Sequence, residues 1–226
     1  MNALALISCF GVMAGGGGTL LAQSENASIR LLAFNRVGDT REVMVAGPDG
    51  KLLHDKPLTL PTEQLSSPLS VAARSLVFQS PGATPSPVGK VELPASGKDF
   101  ILIFLPGAKD SVPPYKVDAV PVPEGEFGSG DQLFVNYSGS NIGFVIGGEK
   151  LAVPMGKSAT YHPKKSEGNR PIAGYHQLKD GKWSATPFYS TRLIVQDGVR
   201  NLVLIVRNPK TGDPDFRGVA DFVERP

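Results

Sequence analysis

Phe100-Ile101-Leu102-Ile103-Phe104-Leu105 places six apolar residues in a row between Lys98-Asp99 and Pro106-Gly107. Successive side chains of a strand point to opposite faces, so a run without polar alternation needs cover on both faces. The run is far too short to cross a membrane as a helix. It predicts a central strand of a β-sandwich, with one face inside and the other against a loop or a second domain. Leu202-Val203-Leu204-Ile205-Val206 reads the same way. Ile103 and Leu204, each mid-run, are the expected core positions.

Outward from these two runs the chain is punctuated by short apolar stretches and turn residues. Gly47-Pro48-Asp49-Gly50 separates Val43–Ala46 from Leu52-Leu53 as a hairpin turn would. Ser138-Gly139-Ser140-Asn141, Lys179-Asp180-Gly181 and Gln196-Asp197-Gly198 read as further hairpin turns. Tyr115-Lys116-Val117-Asp118-Ala119-Val120 alternates, which places Lys116 and Asp118 on a wet face. No 3.6-residue apolar period is sustained, and Pro68 interrupts the one stretch, 62–74, where a helix could be sought. About fourteen strands at the ~8–12-residue spacing of sandwiches are expected. The 26 glycines and 20 prolines lack any three-residue period, which excludes collagen.

The predicted fold class is all-β: two Ig-like antiparallel β-sandwiches in tandem, residues 23–110 and 111–226. The proline-bearing stretch Gly107–Pro114 serves as the linker. One larger β-sandwich is the alternative. No internal sequence repeat is evident.

Residues 1–22 carry no charged side chain. The apolar core Ala3–Met13, the Gly15–Gly18 run and Leu20-Leu21-Ala22 before Gln23 match a signal peptide, with cleavage expected after Ala22. The basic n-region is missing, which a start codon further upstream would supply. Leu6-Ile7-Ser8-Cys9 is the pattern of a lipid-anchored cysteine, and an uncleaved anchor is the other alternative. Cys9 is the only cysteine, so no disulfide framework is expected. The chain is expected to be exported, periplasmic or extracellular, with no membrane span once the signal is removed.

Chemistry is sparse. No Gly-x-Ser-x-Gly elbow and no phosphate-binding Gly-rich loop occur. His54, His162 and His176 are isolated, although the last two could meet across strands. Asp213-Pro214-Asp215 offers too few oxygens for calcium on its own. No catalytic residue, metal site or cofactor is therefore assigned. Net charge is +2 and the basic residues form no stripe, so nucleic acid is not an expected partner. Trp183 and Tyr189, with Tyr175 on the paired strand, are the candidate ligand-binding residues, because sugar-binding sandwiches stack aromatic rings on pyranoses.

Phe127, Gly130-Asp131-Gln132-Leu133-Phe134-Val135-Asn136-Tyr137-Ser138, Ile142–Ile146, Leu151, Val153, Pro154 and Gly156 carry a resemblance across residues 115–161. The stretch resembles uncharacterised exported bacterial proteins of β-sandwich type. The resemblance implies fold and export, and no activity. The expected function is a binding or structural role at the cell envelope or outside the cell, with an envelope protein or polysaccharide as partner. Three rivals are weighed: a carbohydrate-binding module, a hydrolase with carboxylates assembled from distant strands, and a chaperone offering an apolar strand edge.

Overall fold

The structure is a computed structural model and describes residues 26–164 and 168–223. The expected signal segment, Cys9 included, lies outside the described residues. The protein is all-β, with sixteen strands among the described residues. The first eight are β1 (Ala27–Ala33), β2 (Glu42–Ala46), β3 (Leu58–Thr59), β4 (Leu69–Val71), β5 (Ser75–Gln79), β6 (Pro87–Glu92), β7 (Asp99–Pro106) and β8 (Tyr115–Pro121). The second eight are β9 (Gln132–Tyr137), β10 (Ile142–Ile146), β11 (Glu149–Val153), β12 (Ser158–Tyr161), β13 (Arg170–His176), β14 (Tyr189–Leu193), β15 (Val199–Arg207) and β16 (Pro214–Phe222).

The first eight strands form two sheets, β4-β1-β7-β8 and β3-β2-β5-β6. The second eight form β12-β9-β15-β16 and β11-β10-β13-β14. Adding eight to each strand number of the first pair gives the second, so the chain is a topological repeat. Even the one parallel pairing recurs, β1 with β7 and β9 with β15, so neither sandwich is purely antiparallel. The repeat is silent in sequence because pairing order, not residue identity, is what the halves share: β1 reads ASIRLLA and β9 reads QLFVNY.

Three expectations change. Gly107–Pro114 is the connection inside the antiparallel β7–β8 hairpin rather than a linker. Tyr115–Pro121 therefore belongs to the first sandwich, and the chain passes between the halves at 122–131, not at 110. Second, Ser138–Asn141 and Gln196–Gly198 do not close hairpins. They carry the chain from one sheet to the other, β9 to β10 and β14 to β15. The turn at Gly47–Gly50 does close, with the Gly47 amide donating to the Lys51 carbonyl at 2.9 Å. Third, Lys116 and Asp118 do not share a wet face. Val120, next on that face, is buried between the sandwiches, and Asp118 accepts a hydrogen bond from the Tyr137 hydroxyl at 2.7 Å.

The apolar positions sort into three layers. Phe100, Leu102 and Phe104 of β7 face β3-β2-β5-β6, alongside Leu31, Val45 and Phe78. Ile101 and Ile103 point the other way and meet Leu133, Val135, Leu202 and Leu204. Val203 and Ile205 of β15 turn into the second sandwich with Phe134, Phe144 and Ile172. The four sheets are thus stacked face to face, and the two uninterrupted apolar strands β7 and β15 lie back to back in the middle. Their lack of alternation follows from being covered twice.

Polar groups frame this central layer. Arg30 grips Asp221 with both Nη atoms at 2.5 and 2.7 Å, and Arg200 Nε donates to the same carboxylate at 2.7 Å. Arg217 donates to the Phe34 and Thr62 carbonyls. Burial, and then the hydrogen bond to Asp118 and its charge, holds the Tyr137 phenol protonated far above its ordinary value. Unfolded tyrosine ionises near pH ~10, so the folded state gains stability from the neutral phenol below that pH. The gain is lost as pH rises beyond it, because the unfolded chain then releases protons that the folded one keeps. Tyr137→Phe is expected to cost about 1–2 kcal/mol at neutral pH, because Asp118 loses its donor. The variant should also flatten the alkaline decline. Denaturant midpoints across the range from neutral to about pH 11 check both effects; an unchanged midpoint and slope would contradict the assignment.

Candidate functional site

The outer face of β11-β10-β13-β14 is built by strand parity. Ile142, Phe144 and Ile146 of β10 are buried inward, so Gly143 and Val145 face out. Register then sets their neighbours: Gly143 lies between Ala152 and Tyr175, and Val145 between Lys150 and Ala173. Four small or slender residues therefore floor this face. The chain after β13 folds back, with Gln177 bridged to Trp183, and delivers the indole across the sheet.

Gly143 explains where the indole rests. A Cβ added there would stand 3.3 Å from both Cη2 and Cζ3 of Trp183, tighter than ordinary van der Waals contact. Glycine in a strand interior is otherwise unfavourable, and here it admits the close approach of a ring. Trp183 stays 49% exposed. Trp183, Tyr175, Val145, Ala152, Ser184 and the Lys150 side chain line a cavity of about 420 Å³. The Lys150 side chain makes no ion pair or hydrogen bond among the described residues. The result is an open, largely apolar shelf with an aromatic ring on it, a hydroxyl and a cation at its margin. Such a shelf can stack a flat apolar face and hydrogen-bond its rim.

Of the three aromatics expected to bind ligand, the structure brings Trp183 and Tyr175 together and separates Tyr189. Tyr189 lies opposite Gly174, whose added Cβ would stand 2.8 Å from the buried Phe144 ring, so it faces inward. Its ring centroid is 3.6 Å from that of Phe216, and burial raises its phenol pKa. Tyr189 thus closes the gap between β14 and β16. Gly143, Lys150 and Ser184 were not singled out by sequence. A glycine inside an apolar strand was the available signal for the first, and nothing marked the other two.

The histidines do not meet. His162 Nδ1 is 3.0 Å from Asp131 Oδ1 near the start of β9, and that carboxylate also accepts the Gly128 amide at 2.6 Å. His176 lies opposite Ile142, near the other end of β9. Among the described residues no three His, Cys, Asp or Glu side chains gather as metal ligands, and no helix is long and apolar enough to cross a membrane. In comparisons with known proteins, no family model and no curated protein matches the chain.

Proposed function

We propose that the protein is an exported polysaccharide-binding module, and that the outer face of β11-β10-β13-β14 is its binding surface. One observation carries the reading: the single tryptophan of the chain is held over Gly143 with half its surface in water. A ring of that size ordinarily gains stability from burial, so leaving it exposed on a glycine-floored shelf is unfavourable for folding alone. A pyranose ring presents an apolar face of C–H groups to such an indole and hydroxyls to Ser184 and Lys150. Export is supported by the uncharged apolar segment ahead of Gln23. The rival reading of a strand-donating chaperone has less support. The edge strand β14 carries Ser190, Thr191 and Arg192 at its centre, all exposed, and polar or charged residues blunt an edge against pairing.

Trp183→Ala is expected to weaken retention of the protein on its polysaccharide at least about tenfold, the loss typical of a central aromatic anchor. Gly143→Val should act in the same direction by lifting the indole, while the fold is preserved. Affinity electrophoresis in gels cast with neutral and acidic polysaccharides reads the effect. Equal retention of wild type and both variants would count against the shelf. N-terminal sequencing of the exported protein tests the other part of the reading. The expected first residue is Gln23, and retention of Met1 or a lipid on Cys9 would contradict it.

A further inference from the structure

At one end of the second sandwich, the Ser138–Ser140 turn faces the strand end at Arg207 and the hairpin loop at Lys179 across a cleft of about 440 Å³. Among the described residues no acidic side chain lines it. Arg207 rests on the Gly212 turn, its Nε donating to the Gly212 carbonyl at 3.2 Å, and it forms no ion pair among the described residues. Lys179 is likewise unpaired among the described residues, since its neighbour Asp180 is engaged by Lys182 at 3.3 Å. Asp215, on β16, accepts from the Asn208 side chain and the Phe216 amide instead. Two cations from separate elements thus line one cleft without an ion pair among the described residues.

A second feature adjoins the cleft. His176 forms part of the cleft wall, and its Nδ1 is enclosed with no hydrogen-bond partner. Buried ring nitrogens without a partner are rare in folded proteins. The ring packs edge-on against Phe188, with centroids 6.2 Å apart. The Ser138 hydroxyl, by contrast, is spent on Asn136 Oδ1 at 2.7 Å and holds the turn in shape.

We propose that this cleft binds an oxyanion group, a phosphate, sulfate or carboxylate borne by a larger ligand. Arg207 supplies a planar two-pronged donor and Lys179 a mobile point charge, and the His176 ring in the wall reports occupancy. A guanidinium fork fits the paired oxygens of any of these groups. The site is independent of the aromatic shelf, although the loop between β13 and β14 carries both Lys179 and Trp183.

The test uses the whole protein with inorganic phosphate, sulfate and acetate as probes, each against sodium chloride of equal ionic strength. The expected result is a saturable shift of the His176 ring proton resonances and a rise in melting temperature with at least one probe. A stronger response to phosphate and sulfate assigns the site to a tetrahedral group, and a stronger response to acetate to a carboxylate. Arg207→Gln combined with Lys179→Gln should weaken the response at least about tenfold. Lys116→Gln, exposed on β8 of the other sandwich, should leave it unchanged. The proposal is overturned if none of the probes moves His176 beyond the chloride control, or if the double variant responds as the wild type does. Trp183→Ala should respond normally, which separates failure here from failure of the polysaccharide reading.

Discussion

Asp221→Ala is expected to lower stability by about 3–5 kcal/mol, the usual cost of removing one partner from a buried ion cluster. The carboxylate side chain is only 5% exposed, and the two arginines that share it are 20% and 21% exposed. Arg30 comes from the first sandwich and Arg200 from the second, so Asp221 ties the halves as well as β15 to β16. Its removal leaves two guanidiniums facing each other without the carboxylate they share. Arg200 keeps the Phe127 carbonyl, 2.5 Å from Nη1, and lies over the Phe127 ring, so it remains in place and repels. Exchanging all three for apolar residues of similar volume should recover most of the loss, because the cluster's net worth is small once its desolvation is counted. Denaturant titration of Asp221→Ala and of the triple variant decides the point. A loss below about 1 kcal/mol for the single variant would mean that water reaches the cluster freely.

Ile103→Ala and Leu204→Ala should each cost about 2–5 kcal/mol, the range for truncating a fully buried aliphatic side chain. Both residues are 0% exposed and belong to the layer between the sandwiches. A cavity there is enclosed by two sheets whose spacing is set by their other side chains, so it cannot collapse. Because this layer joins the halves, either truncation should also separate their unfolding, giving two transitions where the wild type gives one. Lys116→Ala, exposed on β8, should cost about 0.5 kcal/mol or less. Asp118→Ala is expected to cost more than Lys116→Ala, since it orphans the buried Tyr137 hydroxyl. Equal, mild effects for Ile103→Ala and Lys116→Ala would contradict the stacked arrangement.

What the sequence disclosed depended on whether the deciding pattern was local. The two-sided burial of β7 and β15 was legible, because an unbroken apolar run has few other uses in a chain without helices. The boundary was not. Pro113 and Pro114 suit a linker and a tight hairpin connection equally, and only the pairing of Leu105 with Lys116 tells them apart. The wet face assigned to β8 failed for the same reason. Alternation shows that its two faces differ, but the more polar one is met by Tyr137 from the other sandwich. At the candidate site, aromatic content was readable and its sidedness was not. Tyr175 and Tyr189 fall on opposite faces because Gly174, not Tyr175, stands opposite Tyr189, and register is a property of the folded sheet. The internal repeat was hidden most completely, since each strand pair meets its own set of neighbours.

The emission of Trp183 tests the polysaccharide reading most directly. It is the only tryptophan in the chain, it is half exposed, and it forms the shelf itself, so no other indole contributes to the signal. Titration of the folded protein with a panel of neutral and acidic oligosaccharides is expected to give a saturable blue shift with at least one of them, as a pyranose face displaces water from the indole. The same oligosaccharide should give no shift when the shelf is disrupted by Gly143→Val. Emission that stays constant across the panel, or a shift that survives Gly143→Val undiminished, would contradict the assignment of this face as the binding surface.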